Sequence, residues 1–416
     1  MCCKPLTQKG LPATSNYSMA AAVAAREVRS DPRSPVDNRG KMEEGRKVVY
    51  WPRDTVTSRL DLAELERPAL ESALAELGEE RFRARQIFGW IYRRGVTELE
   101  AMTDLSRGLR TVLATRFTLT TPQVVTHERS SDGTQKLLLR LADGLEIESV
   151  FIPDTPAMTF CISTQAGCAM ACAFCLTGKM GLVRNLTAGE IAGQVRVLAD
   201  ALSMRGTAFN IVLMGMGEPL HNYDETMKAL RILTDEHGLA LPPRRITLST
   251  VGLLPGLERL AREPIMPNLA ISLHAPSDLQ RGQLVPLNRR YGIGDIIDVC
   301  KRFPVRARSR ITFEYVLLAG VNDSIEDARA LARLLAGVKS KVNLIPLNAA
   351  AGIPFDRPSD ASIDRFAATL AERGVLVSVR KSRGRDIRAA CGQLIVEGPR
   401  KSPAQQLAIA AFGRQP

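Results

Sequence analysis

Apolar residues recur every three or four positions from Asp61 to Phe117, then at every second position from Thr121 to Pro153, and beyond Thr159 the two periods alternate. Leu62, Leu65, Leu70, Leu74 and Leu77 predict a helical stretch that stops at Gly78. A second helix is predicted from Phe82 to Arg94, with Phe82, Ile87, Trp90 and Ile91 apolar and Arg81, Arg83, Arg85, Arg93 and Arg94 on other faces. A third runs from near Asp104 to Arg116. The two-residue period then predicts strands at Val124–Glu128, Gln135–Leu141 and Leu145–Ile152. Asp132-Gly133 and Asp143-Gly144 separate them, and Asp-Gly favours hairpin turns because both residues tolerate positive φ.

The alternating part contains strand patterns at Thr159–Gln165, Phe209–Met214, Arg245–Thr250, Leu269–His274, Arg310–Leu318 and Lys341–Leu347. Helical patterns separate them, among them Ala188–Leu202, Asp224–Asp235, Ser324–Leu335 and Ser362–Arg373, and a last strand-like run covers Val375–Lys381. Six successive βα units imply an α/β fold with a parallel sheet and right-handed crossovers, open or curled into a partial (β/α)6 barrel. The expected organisation is a disordered extension over residues 1–57, a small helical domain over 58–118 and an antiparallel β extension over 119–153. An α/β core follows over 154–400, then a tail over 401–416. The first segment carries Arg, Ser, Pro and Gly without a sustained period, which is why it is read as disordered.

Composition narrows the function classes. The chain has 416 residues, 45% hydrophobic and 24% charged, enough for more than one globular domain. No continuous apolar run is long enough for a membrane span, and Met19–Ala25 is too short for a signal-peptide core. Eight cysteines, three of them clustered, fit a reducing cytoplasm better than a secreted disulfide framework. The net charge of +12 points to a polyanionic partner, most simply nucleic acid. The arginines of the helical domain fit either an RNA-contacting face or a solvated one.

The chemistry concentrates in Cys168-Ala-Met-Ala-Cys172-Ala-Phe-Cys175. A structural zinc site would need a fourth ligand close by, and no neighbouring His supplies one. Three thiolates at this spacing suit an iron–sulfur cluster with one iron left open. Further motifs fall at carboxyl ends of predicted strands, where chemistry collects in such barrels. They are Gly215-Met-Gly217-Glu218-Pro219, Ser249, Ser272, His274 and Asn348. The glycines and carboxylate can form either a ligand-binding turn or an ordinary one, and the polar residues can equally cap turns. Cys161 reads as a small buried hydrophobe within the first strand, and Cys300 as core. Cys391 follows an Arg- and Gly-rich run, where Arg385 and Arg388 would favour its thiolate.

The CxxxCxxC loop with Phe174 before its last cysteine resembles the radical S-adenosylmethionine (SAM) superfamily. Glu148-Ser-Val-Phe-Ile-Pro153, Cys161-Ile-Ser-Thr-Gln-Ala-Gly-Cys168, Met214-Gly-Met-Gly-Glu-Pro-Leu220, Ile271-Ser-Leu-His-Ala-Pro276, Asn343-Leu-Ile-Pro-Leu-Asn348 and Val379-Arg-Lys-Ser-Arg-Gly-Arg-Asp-Ile-Arg-Ala-Ala-Cys-Gly-Gln-Leu394 narrow the resemblance to the RlmN/Cfr family of RNA methyltransferases. It spans residues from about 59 to 400.

The resemblance implies a [4Fe-4S] cluster on Cys168, Cys172 and Cys175, and SAM contacts from Gly217, Glu218, Ser249, Ser272, Leu273, His274 and Asn348. It implies methylation of adenine C2 in 23S rRNA and tRNA, a carbon too electron-poor to attack SAM directly. Cys391 would take a methyl group first, Glu148 would remove the C2 proton, and Cys161 would release the product through a transient disulfide with Cys391. A flavodoxin or ferredoxin electron donor, a cytoplasmic location and a monomer are also expected. The rival within the family is C8 methylation of the same rRNA adenine. Outside it stand a redox-sensing RNA-binding protein and a glycyl-radical activating enzyme, neither of which uses Cys161 and Cys391.

Overall fold

The computed structural model describes residues 59–153 and 157–396. The expected extension over 1–57 with Cys2 and Cys3, and the tail over 401–416, lie outside the described residues.

The first described part is helical. The strand β1 (Leu60–Asp61) pairs in parallel with β2 (Phe117–Thr118), bringing the two ends of this part together. Leu62 does not open a helix as the spacing predicted. Asp61 accepts from Ala63 N–H and holds Leu62–Glu64 as a 3-10 turn, and the α-helix Arg67–Ala75 starts only at Arg67, with Pro68 in its first turn, where the missing N–H is harmless. The helix Phe82–Phe88 continues as a π-helix over Gly89–Arg94, which ends at left-handed Gly95. The third helix, Arg107–Arg116, is capped by the Ser106 side chain on Leu109 N–H. Leu70, Leu74, Ile87, Phe88, Ile91 and Leu113 are fully buried among these helices.

The rest is built on one ten-stranded sheet. Its antiparallel part is β3 (Gln123–Arg129), β4 (Gln135–Arg140) and β5 (Glu146–Ile152), the predicted meander. β5 pairs antiparallel with β6 (Thr159–Cys161), the first strand of the core. A short ribbon of β7 (Gln165–Gly167) and β8 (Leu182–Asn185) stands apart from the sheet. From β6 the parallel strands follow in chain order: β9 (Asn210–Leu213), β10 (Ile246–Thr250), β11 (Asn268–Ser272), β12 (Ile311–Leu317), β13 (Ser340–Pro346) and β14 (Val377–Val379). The sheet stays open, with β3 and β14 as its edges.

The run Thr159–Gln165 is therefore two strands rather than one. Ile162 still pairs with Val212, but Thr164 and Gln165 N–H groups both donate to the Met216 carbonyl, so the chain leaves the sheet at the glycine loop. Gly217 makes this close approach possible. Its φ is +105°, and a Cβ there would lie 2.6 Å from Gln165 Cβ. Strand interiors supply the core: Phe160, Ile211, Leu248, Ile271, Phe313 and Leu344 have essentially no exposed surface.

Candidate active site

The carboxyl ends of the parallel strands surround a cleft of ≈ 900 Å³, its open mouth included. Cys168, Cys172 and Cys175 enter it from the loop after β7, Gly215, Gly217 and Glu218 from the turn after β9, and Ser249 from β10. Ser272 and His274 enter from the end of β11, Asn348 from beyond β13, and Cys391 from the loop after β14. Residues from Cys168 to Cys391 thus converge on one space.

The cysteine loop is tightly braced. Cys168 N–H donates to Gly181 O (2.9 Å), Cys175 N–H to Cys172 O (3.1 Å) and Leu176 N–H to Gly392 O (2.8 Å). Burial pushes the Cys168 thiol up to about 12, Cys172 well above its ordinary value and Cys175 upward; at Cys172 and Cys168 neighbouring thiols add to the rise. Such a set becomes stable as thiolates only when a cation neutralises it. No group of three or more His, Cys, Asp or Glu among the described residues is arranged to hold a single metal ion. Three buried sulfurs on one cavity wall do fit a polynuclear centre, whose irons take one sulfur each.

Around the cysteines, polar groups are fixed by long-range bonds. Glu218 Oε1 accepts from Leu220 N–H (3.0 Å) and Oε2 from Val251 N–H (2.9 Å), while burial pushes its carboxyl up to about 7. It ties the β9 turn to the β10 end and retains lone pairs for a ligand. His274 Nδ1 accepts from Val316 N–H (3.1 Å), which assigns the proton to Nε2, and burial holds the ring neutral with a pKa near 3. Its ring meets Phe174 edge-on, with centroids 4.6 Å apart. Ser249 and Ser272 hydroxyls lie 3.4 Å apart.

Leu273 is not brought into the cleft. It lies between Ser272 and His274, and alternation along an extended chain turns it into the core, fully buried. Its N–H donates to Glu314 O and its carbonyl accepts from Arg281 Nε (both 3.0 Å). Arg281 carries no sequence signal, yet it is fully buried and also donates to the Val251 and Ser272 carbonyls. It ties the ends of β10 and β11 to each other.

The Cys391 loop is positioned from three sides. Asp386 accepts from Ser130 Oγ (2.6 Å) and Ser131 N–H (3.1 Å), and Asp132 accepts from Gly384 N–H (2.9 Å). Thr177 Oγ1 donates to Leu394 O (2.7 Å), and Asn348 Nδ2 reaches Cys391 O at 3.4 Å. Glu148 is buried outside the cleft, takes Ile395 N–H at 2.7 Å and pairs with Lys136 Nζ at 3.0 Å. Burial pushes its carboxyl up, against the pull of Lys136.

One of the expected basic neighbours of Cys391, Arg385, needs correction. Arg385 is turned to Asn348 Oδ1 (3.3 Å), and the guanidinium that donates to the Cys391 sulfur is that of Arg380, just after β14. Arg380 also faces Cys161 and Glu314, and its pKa is raised, with the neighbouring Cys391 as the largest cause and burial acting against it. Cys161, on β6, is buried behind the cleft, and burial pushes its thiol up to about 12, with Cys391 adding to the rise and Arg380 opposing it. No disulfide joins the described cysteines, and Cys161 and Cys391 are free thiols. A permanent bridge between the described cysteines is thus not a feature of the fold.

Residues 60–119 match the ribosomal RNA large subunit methyltransferase N-terminal domain, and residues 162–334 match the radical SAM superfamily. The dual-specificity RNA methyltransferase RlmN of Pelobacter propionicus is 47% identical over 339 residues, which cover 82% of this chain and 96% of the relative. That of Geobacter sulfurreducens is 49% identical over 335 residues, covering 80% and 92%. The chain belongs to the RlmN family. A crystal structure of a radical SAM methyltransferase from Sphaerobacter thermophilus superposes on it with a TM-score of 0.77 at 51% identity, over 80% of this chain and 99% of the other. The radical SAM α/β fold with its helical N-terminal region is thus the expected one. Among the described residues no helix is long and apolar enough to cross a membrane.

Proposed function

We propose that this RlmN-family protein methylates C2 of an adenine in 23S rRNA and in tRNA, drawing both the methyl group and the radical initiator from SAM. One observation carries the reading beyond family membership: Cys391 stands in the wall of the same cleft as Cys168, Cys172 and Cys175, although more than two hundred residues separate them. A methyl acceptor and a radical-generating centre must share one space for this chemistry, because a primary carbon radical must be made and used without diffusing.

Cys168, Cys172 and Cys175 would hold a [4Fe-4S] cluster, which when bound supplies the electron that cleaves SAM to a 5′-deoxyadenosyl radical. Glu218 and the Gly215–Gly217 backbone stand ready for the ammonium of SAM. Ser249, Ser272, neutral His274 and Asn348 offer hydrogen bonds for its ribose, adenine and carboxylate. Cys391 takes a methyl group from one SAM, and the resulting thioether presents the carbon that is activated for attack on C2. Arg380 donates to the Cys391 sulfur and so orients it for methyl transfer. Cys161 stays a neutral thiol behind the cleft and so does not compete for the methyl group. Glu148, raised by burial, would accept the C2 proton as the adduct gives up its unpaired electron to the electron-transfer partner; Cys161 then loses its proton and attacks the Cys391 sulfur, so that the S–S bond forms, the S–CH2 bond breaks, and the electron pair left on that carbon takes up a proton as the methylated base leaves. The helical domain, residues 58–118, offers arginine-rich surface to the RNA. A flavodoxin- or ferredoxin-type protein supplies electrons, and the protein works as a cytoplasmic monomer.

Mass spectrometry of nucleosides from 23S rRNA and from tRNA, each incubated with anaerobically reconstituted protein, reductant and SAM, tests the proposal. A 2-methyladenosine peak is expected from both. An 8-methyladenosine peak would transfer the protein to the C8 chemistry, and no methylated adenosine from either RNA would defeat the catalytic reading.

Arg380→Gln gives a separate check on the first step. Methylation of Cys391, followed by intact-protein mass, slows about tenfold to a hundredfold, the scale of one charge-assisted hydrogen bond. An unchanged rate would show that Arg380 only packs.

A further inference from the structure

We propose that a second cleft, at the opposite end of the sheet, is a binding site for a phosphoryl group. The cleft encloses ≈ 1200 Å³, its open mouth included. It lies where β9 and β10 begin, beside Phe209 and Arg245, whereas the cysteine cleft lies where those strands end. Five arginines line it, Arg93, Arg196, Arg205, Arg244 and Arg245, and no carboxylate does.

Most of this charge lacks a counter-charge. Among the described residues only Arg205 has an ion pair, with Asp200 at 2.9 Å. Arg93 donates to the backbone carbonyls of Gly238 (3.0 Å) and Glu236, Arg245 reaches the Phe209 carbonyl at 3.4 Å, and Arg244 is exposed. Arg196 is the independent observation. It is only 3% exposed, on the helix Ala188–Ala201. Its guanidinium donates to neutral oxygens alone, Val96 O (3.0 Å), Thr121 Oγ1 (3.1 Å) and Thr120 O (3.5 Å), and its Nε has no acceptor. Asp61 acts on it only through space, with no ion pair or hydrogen bond between them, and a buried cation compensated so little costs stability unless an anion is supplied from outside. Burial also pulls its pKa down, which an anion in the cleft would reverse.

The chemistry of the walls selects the class of ligand. Guanidinium groups present paired donors that match the oxygens of a phosphoryl group, and several of them around one concavity suit a dianion better than a carboxylate. The phosphoryl group has two sources, the backbone or end of an RNA and a free phosphorylated molecule. The site does not depend on the methyltransferase proposal, and failure of methylation would leave it standing.

The test is calorimetric titration of pyrophosphate, and anisotropy titration of a short single-stranded oligoribonucleotide, into the full chain at constant ionic strength. The wild type is expected to bind at least one of them saturably, and Arg244→Glu and Arg245→Glu to weaken that binding by about tenfold or more. Both substitutions are at the rim, so the answer survives even where Arg196→Met fails to fold. Reduced oligoribonucleotide affinity in the variants assigns the phosphate to RNA. Reduced pyrophosphate affinity with RNA affinity unchanged assigns it to a free phosphorylated ligand. Absence of saturable binding to the wild type, or unchanged affinity for both probes in both variants, overturns the site.

Discussion

Replacing Cys391 with alanine is expected to reduce RNA methylation at least about a thousandfold, the scale on which removal of a nucleophile acts. The loop that carries it should stay in place. Its anchors are the Asp386–Ser130 and Gly384–Asp132 bonds, the Leu176 N–H to Gly392 O bond and the Thr177–Leu394 bond, none of which uses the sulfur. The residue is only half-buried, so the loss of one sulfur should cost stability no more than about 1 kcal/mol. Two measurements therefore separate chemistry from folding: nucleoside mass spectrometry for methyladenosine and a thermal melt. A variant that melts with the wild type and makes no methyladenosine is the expected result. One that methylates at a comparable rate would remove Cys391 from the reaction.

Cys161→Ala is expected to fail differently. Cys161 is buried on β6, and its thiol is held neutral by burial and by the neighbouring Cys391. It is placed to act late, once the Cys391 sulfur is joined to the base. Without it the early steps run and the product cannot leave, so protein covalently attached to RNA accumulates towards one RNA per protein. Denaturing gels with labelled RNA would show a shifted band that is absent from the Cys161→Ala/Cys391→Ala double variant. The substitution leaves a cavity of about one sulfur atom, at a cost of about 1 kcal/mol, too little to unfold the core. Clean multiple turnover by Cys161→Ala would assign release to another group.

Taken together the two variants order the cysteines. On the proposed reaction the cleft-facing thiol beside Arg380 would react first, and the buried one would resolve. Their difference in environment, rather than in chemistry, separates the roles. Cys391 opens onto the cleft beside a guanidinium, whereas Cys161 is enclosed by strand side chains and burial keeps its thiol neutral.

What the chain determines alone is whatever depends on near neighbours. The two-residue and 3.6-residue periods placed the meander and the parallel strands, because alternation and helical stripes are properties of consecutive residues. The Cys168–Cys175 spacing and the glycines at 215 and 217 were legible for the same reason. So was the collection of motifs at strand ends, since a βα unit always returns its strand ends to one side.

Tertiary structure decided which distant groups meet. Arg380 donates to the Cys391 sulfur, whereas Arg385, five residues on, is turned to Asn348. The family resemblance put Leu273 among the SAM contacts, whereas its side chain, just past the end of β11, is buried in the core. Glu148 gained Lys136 across the β4–β5 pair and Ile395 from almost 250 residues away. Arg281 and Arg196 carry no motif at all, yet one ties the active-site loops and the other sits uncompensated at the far end of the sheet. The physical reason is common to all of these. Spacing encodes contacts within a few turns of chain, but burial, counter-charge and pKa are set by whatever the fold brings within a few ångströms, and sequence distance does not record that.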